Sequence, residues 1–277
     1  MDMKIISIRI MHIPTFRLID RIKTKTVLAG VRYFGGIGFR MVKQKIRGSK
    51  NMQITFSDDI GADKKTIVDK FHLLYDANNK QTFDNTYWMG IPTIKCPLDL
   101  WIFQELIYRT RPDIIIETGT NEGGTSLFLA NICDLLDDGQ IITVDIASTK
   151  NLPKHERIHY LQGDATSDDT INKIKRLMDS LSNKRDRSVM VILDDNHSGM
   201  HVLKEMEIYG KLVPVGNYLI VEDTAMGGHP TCPELKFGPY EAVQNYLQTH
   251  SDFEIDLSCE KFLMTFNPNG YLKKIST

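Results

Sequence analysis

Residues 114–126 read Ile114-Ile115-Ile116-Glu117-Thr118-Gly119-Thr120-Asn121-Glu122-Gly123-Gly124-Thr125-Ser126. A short apolar run ends in the carboxylate of Glu117, and the chain then turns on glycines. Apolar residues recur at helical spacing from Ser126 to Leu136. Strand, glycine turn and helix in that order open a nucleotide-binding α/β unit. Working outward, the same alternation repeats. Strand-like runs 140–145, 158–161, 189–193 and 217–221 are separated by helical patterns at 170–181 and 200–212. Apolar strands spaced by helices of this length predict a doubly wound, mainly parallel sheet with right-handed crossovers.

On the N-terminal side, a helix is expected from Pro97, burying Leu98, Trp101, Ile102 and Leu106 and stopping before Arg111-Pro112. Tyr87-Trp88-Met89-Gly90-Ile91-Pro92 is rich in turn residues. A further helical pattern over 66–75, with Ile67, Phe71 and Leu74, belongs to a polar linker. At the other end, short strands at 254–257, 262–266 and 270–274 flank Asn267-Pro268-Asn269-Gly270, a turn signal for a closing hairpin.

With 42% hydrophobic and 25% charged residues in a chain of 277, the composition is that of an ordinary globular protein. Cys96, Cys133, Cys232 and Cys259 form no CxxC pair, so they read as reduced thiols without a zinc or disulfide framework. No apolar run reaches the roughly 18 residues of a membrane span. Charges at Arg9, His12, Arg17 and Asp20 break up the opening segment and argue against a signal peptide. A cytoplasmic location is expected. The net charge of -1 hides an asymmetry: residues 1–50 carry twelve Lys/Arg against Asp2 and Asp20. This basic arm suits peripheral contact with an anionic membrane, an anionic substrate, or docking on the acidic body or a neighbouring subunit. It carries no nucleic-acid-binding motif.

The turn spaces its glycines as Gly119-x-x-x-Gly123-Gly124, not as the dinucleotide pattern GxGxxG, and no Walker lysine follows. Glycine permits φ > 0 and close backbone approach, and the helix start beyond it offers N–H groups to an anion. The second strand ends in Asp145-Ile146, which places an acid within reach of ribose hydroxyls. The third ends in Gly163-Asp164-Ala165, whose acid suits an exocyclic adenine amine. Together these features predict S-adenosylmethionine (SAM), against a ligand-free structural turn. The expected cofactor set is Glu117, Thr118, Gly119, Thr120, Gly123, Thr125, Ser126, Asp145, Ile146, Gly163, Asp164, Ala165 and Asp194.

Asp194 and the pair Glu222-Asp223 each follow a strand-like run, one strand-helix-strand unit apart. Adjacent parallel strands would bring the three carboxylates together, where mutual repulsion calls for a cation. Hard oxygen donors favour Mg²⁺ or Ca²⁺ over zinc; the alternative is acids that cap helices or meet solvent. Three residues on, His197 is a candidate base for a hydroxyl proton, or simply a hydrogen-bonded structural histidine. Two other patterns are decoys. His155-Glu156-Arg157-Ile158-His159 matches HExxH, but Pro153 and a short strand keep the histidines off one helix face. His250-Ser251-Asp252 lacks the second histidine of an iron facial triad.

The ordered motifs Tyr87-Trp88-x-Gly90, Lys95-x-Pro97-Leu98-Asp99-Leu100-Trp101, Ile115-Ile116-Glu117-Thr118-Gly119-Thr120, Val191-Ile192-Leu193-Asp194, His197-Ser198, Tyr218-Leu219-Ile220-Val221-Glu222-Asp223-Thr224, Gly228-His229-Pro230 and Phe262-x-x-Thr265-Phe266-Asn267-Pro268-x-Gly270-Tyr271-Leu272 resemble the cephalosporin hydroxylase / rhamnosyl O-methyltransferase family. The resemblance runs from about Tyr87 to Lys273. It implies a Rossmann-like class I methyltransferase domain over 84–277, preceded by an arm and linker over 1–83. It further implies SAM, Mg²⁺ on Asp194, Glu222 and Asp223, His197 as base, and a homo-oligomer. The expected activity is O-methylation of a sugar hydroxyl on a small-molecule or glycan acceptor, in a glycoside, glycolipid or polysaccharide precursor. The family name also raises oxidation or methoxylation of a β-lactam-like antibiotic, and a third reading is a SAM-binding subunit without chemistry. Many relatives read Asp-Ser-Asp-His where this chain has Asp194-Asp195-Asn196-His197, which makes Asp195 and Asn196 further candidate ligands.

Overall fold

The computed structural model describes residues 64–182 and 186–277. The basic arm, with its expected membrane or docking contacts, lies outside the described residues. Helix α1 (Lys64–Ala77) leads to a two-stranded hairpin, β1 (Tyr87–Trp88) and β2 (Ile91–Pro92). Met89 and Gly90 both adopt positive φ at its tip, which matches the twist of a tight hairpin. There follow α2 (Pro97–Thr110), β3 (Ile114–Thr118), α3 (Gly124–Leu136), β4 (Gln140–Asp145), β5 (Ile158–Gln162), α4 (Asp168–Leu181), β6 (Val189–Leu193) and α5 (Gly199–Tyr209). The chain ends with β7 (Tyr218–Val221), α6 (Pro239–Leu247), β8 (Phe253–Ile255) and β9 (Tyr271–Lys274).

Seven strands form one sheet in the order β5-β4-β3-β6-β7-β9-β8. The five strands β5 to β7 are parallel, and β9 enters antiparallel between β7 and β8. Every residue of β3 and β6 is buried, as expected for central parallel strands covered on both faces. The pleat divides them: Ile114 and Ile116 pack with Val202, Met206 and Val243 on one face, while Ile115 packs with Phe103, Leu106 and Leu129 on the other.

Register places the site. Thr118 pairs with Val144 on one side and Leu193 on the other, and Leu193 pairs with Val221. The four strands therefore end level, and Gly119, Asp145, Asp194 and Glu222 all emerge on one edge. Strand order reverses between β3 and β6, the point where α/β sheets open a crevice.

Two local expectations differ from the structure. Residues 262–266 form no strand, and β9 pairs with the earlier β8, so the hairpin is wider than the Asn-Gly turn suggested. The cause is Asp99 on α2, buried to 2% exposure. It accepts hydrogen bonds from the Thr265 hydroxyl (2.5 Å), the Phe266 backbone N–H (2.9 Å) and the Tyr271 hydroxyl (2.9 Å). These bonds commit the segment to α2 instead of a ladder. Burial pushes the Asp99 carboxyl up to about 6 against these donors. The second difference concerns the linker helix. Val68 and Tyr75 of α1 pack on Cys96, Met264 and Phe266, and His72 stacks on Phe266 at 5.1 Å. Among the described residues no helix is long and apolar enough to cross a membrane.

Candidate active site

The level strand ends open into a cavity of about 870 Å³. Of the expected cofactor residues, Gly119, Thr120, Thr125, Asp145, Ile146, Asp164, Ala165 and Asp194 line it. Glycine is required at the turn. Gly119 has φ +89°, and a Cβ there would run into the carbonyl oxygen of Asp194. That contact reflects how closely the ends of β3 and β6 approach at the crevice, where Asp194 N–H donates to the Thr118 carbonyl at 3.0 Å. Gly123 caps α3 at φ +79°, behind the cavity wall.

The acids along this edge are held in different ways. Asp145 accepts from the backbone N–H groups of Asn121 (2.9 Å) and Ala147 (2.8 Å), which fix its carboxylate at the end of β4. Asp164 accepts from the Thr166 N–H at 2.8 Å, a bond that holds its carboxyl below the ordinary range. Glu117, in contrast, is turned inward and 1% exposed. Its Oε2 accepts from both Ser126 Oγ and Thr143 Oγ1 (2.7 Å for the latter), and burial raises the carboxyl to about 7. Glu117, Thr118 and Ser126 thus shape the turn from within, and Gly163 packs against Thr170.

At the other end of the cavity stand Asp194, His197 and Asp223, with one ligand atom of each within 4.8 Å of the others. His197 Nε2 lies 3.3 Å from Asp223 Oδ2. Asp223 owes its position to a left-handed backbone (φ 57°) and to its N–H donating to Asn267 Oδ1 at 2.9 Å. Glu222 points elsewhere. It is 3% exposed, and its Oε2 lies 2.8 Å from the Nζ of Lys95. The same ammonium bonds Asp194 Oδ2. Lys95 comes from the loop between β2 and α2 and is only 5% exposed. Burial pulls its pKa down, but the carboxylates of Asp194 and Glu222 outweigh that and carry it above the ordinary lysine value, so it remains a cation. Burial likewise pushes the Glu222 carboxyl up.

Lys95 opens one of the quoted motifs, but its place in the site is not legible there, because its partners lie far along the chain. Charge balance was the available signal: three carboxylates on one edge exceed what one divalent ion neutralises. With Lys95 in place, the ionised cluster keeps two negative charges, which match a divalent cation. The donor set, two accessible carboxylates beside an imidazole, suits such an ion. Glu222 Oε1 is buried without a hydrogen-bond partner among the described residues. Asn196 is exposed, and its Oδ1 accepts from the Ser198 N–H at 2.9 Å. The decoy histidines are accounted for: His155 pairs with Asp134 at 2.9 Å, and His159 on β5 bonds Gln140 at 2.9 Å.

Comparison with known proteins agrees with this architecture. A rhamnosyl O-methyltransferase of Mycobacterium leprae (strain TN) is 35% identical over 215 residues, covering 75% of this chain and 90% of the relative. One from Mycobacterium tuberculosis (strain ATCC 25618 / H37Rv) is 33% identical over 212 residues, covering 74% and 84%. A solved CmcI structure containing Mg and SAM superposes with a TM-score of 0.53 at 20% identity, over 70% of this chain and 78% of the other. At that identity the superposition shows a shared fold. The profile of the family described as Rhamnosyl O-methyltransferase/CmcI matches residues 80–275, and this chain belongs to that family.

Proposed function

We propose that the chain is a SAM- and Mg²⁺-dependent O-methyltransferase acting on a sugar hydroxyl of a glycoside, glycolipid or polysaccharide precursor. One observation carries the reading: Asp194, His197 and Asp223 converge in the same cavity that Gly119, Asp145 and Asp164 line. Two curated relatives named rhamnosyl O-methyltransferase support a sugar acceptor. Asp145 and Asp164 would hold the ribose and adenine of SAM, with Gly119 admitting the ligand close to the backbone. Asp194 and Asp223 would hold Mg²⁺, which when bound supplies Lewis acidity toward an acceptor hydroxyl.

The chain's own residues do the rest. His197 Nε2 faces Asp223 Oδ2, so a proton on that nitrogen would leave Nδ1 as the lone pair that accepts the hydroxyl proton. Asp223 then stabilises the imidazolium electrostatically, as carboxylates do for catalytic histidines. Lys95 holds Asp194 in place from inside and keeps water away from its inner oxygen. In-line placement of the acceptor oxygen and the donated methyl within this cavity would supply the orientation term of catalysis.

The test is transfer of labelled methyl from SAM to a panel of rhamnosides and other glycosides. Asp194→Asn and Asp223→Asn should abolish product while calorimetry still shows SAM binding, and chelation should stop turnover until Mg²⁺ is restored. Full-rate transfer by Asp223→Asn, or by chelated protein, would refute the reading.

A further inference from the structure

Beside the site just described lies a second cluster. His201 and Glu205 stand one turn apart on α5, at the i, i+4 spacing that shares a helix face. Asp195 reaches them from the end of β6. Its Oδ2 lies 3.2 Å from His201 Nε2, and Glu205 Oε2 lies 3.8 Å from the same nitrogen. One ligand atom of each is within 4.8 Å of the others. Ligands at right angles around a first-row divalent ion stand about 3 Å apart, so small side-chain shifts would close this set. Asp195 and His201 both line the cavity, which gives an ion a route in.

Glu205 is what makes the cluster more than a group of acids. It is 1% exposed, and neither carboxylate oxygen has a hydrogen-bond partner among the described residues. An ionised carboxylate so placed costs several kcal/mol unless a positive charge meets it. Burial, followed by the neighbouring charge of Asp195, pushes its carboxyl well up, and a polar contact with the Thr118 hydroxyl offsets this only in part. Lys95, which serves this purpose for Glu222, is committed to Glu222 and Asp194.

We propose that Asp195, His201 and Glu205 form a second divalent-cation site, separate from Asp194 and Asp223. Two carboxylate oxygens and one imidazole nitrogen suit Mn²⁺, Fe²⁺ or Zn²⁺ better than Mg²⁺. A cation there ties the end of β6 to α5. It thereby fixes the loop that carries Asp194 and His197, so its role is to position that loop.

The test uses full-length chain stripped of metal, with Mn²⁺ as probe, bound ions counted by electron paramagnetic resonance and located in crystals by anomalous scattering. Wild type should bind two ions per chain, and His201→Gln and Glu205→Gln one each. Asp223→Asn should also bind one, and adding His201→Gln to it should remove that ion. Mn²⁺ at a hundredfold excess over its Kd should raise the Tm of Asp223→Asn by roughly 5 °C or more, and His201→Gln in that background should erase the rise. His201 is half-buried, so its variant guards against misfolding at Glu205. If both His201→Gln and Glu205→Gln bind as many ions as wild type, or the anomalous peak lies away from these residues, the inference is wrong.

Discussion

Replacing Lys95 by Met removes the ammonium that lies between Asp194 and Glu222. The side chain is 6% exposed and its two partners are 18% and 2% exposed, so water substitutes for it poorly, above all at Glu222. Removing one partner of a buried ion pair costs about 3–5 kcal/mol, because the remaining charge is left uncompensated. In a body of this size each kcal/mol moves Tm by about 2–4 °C, so metal-free Lys95→Met should melt roughly 6–20 °C below wild type. Two controls separate this cause from loss of packing. The double variant Lys95→Met/Glu222→Gln deletes a charge from each side and should recover most of the loss. Mg²⁺ should stabilise Lys95→Met more than wild type, because the ion then answers a larger negative charge. The assay is thermal unfolding by circular dichroism in chelator and in saturating Mg²⁺. A chelated Lys95→Met protein that melts within about 2 °C of wild type would refute the reasoning, as would a double variant no better than the single.

Three further outcomes follow from named contacts. Gly119→Ala places a Cβ against the Asp194 carbonyl at φ +89°; it should cost roughly 2–4 kcal/mol in denaturant unfolding and weaken SAM binding at least tenfold. His197→Gln should lower kcat by about 10²–10⁴ with SAM affinity unchanged in calorimetry. Glu117 has a native carboxyl raised to about 7 from an ordinary 4.5. The native state therefore holds the proton that the unfolded state has lost, and stability falls as pH rises between those values, by on the order of 3 kcal/mol. Glu117→Gln, whose single amide oxygen can still accept from Ser126 and Thr143, should flatten that dependence in melts at pH 5 and pH 8.

Much of this molecule is legible along the chain. Ile114–Ile116 followed by Gly119 and Gly123-Gly124 fixes strand, turn and helix, because local conformation and burial pattern act over a few residues. Strands ending in Asp145, Asp194 and Glu222 had to share an edge once the sheet was parallel, since parallel strands point their C-terminal ends the same way. Other features depended on partners distant in sequence. Asp99 draws Thr265 and Phe266 out of an expected strand, and it lies 166 residues from Thr265. Lys95 turns Glu222 inward and leaves Asp194 and Asp223 facing His197. Glu205 is stripped of water only once α5 packs onto the sheet. Local propensity and hydrophobic period determine which elements form and where they end, because both act between near neighbours. Which carboxylate meets which cation is decided by burial, because removing water makes a single ion pair outweigh the preferences of either residue alone.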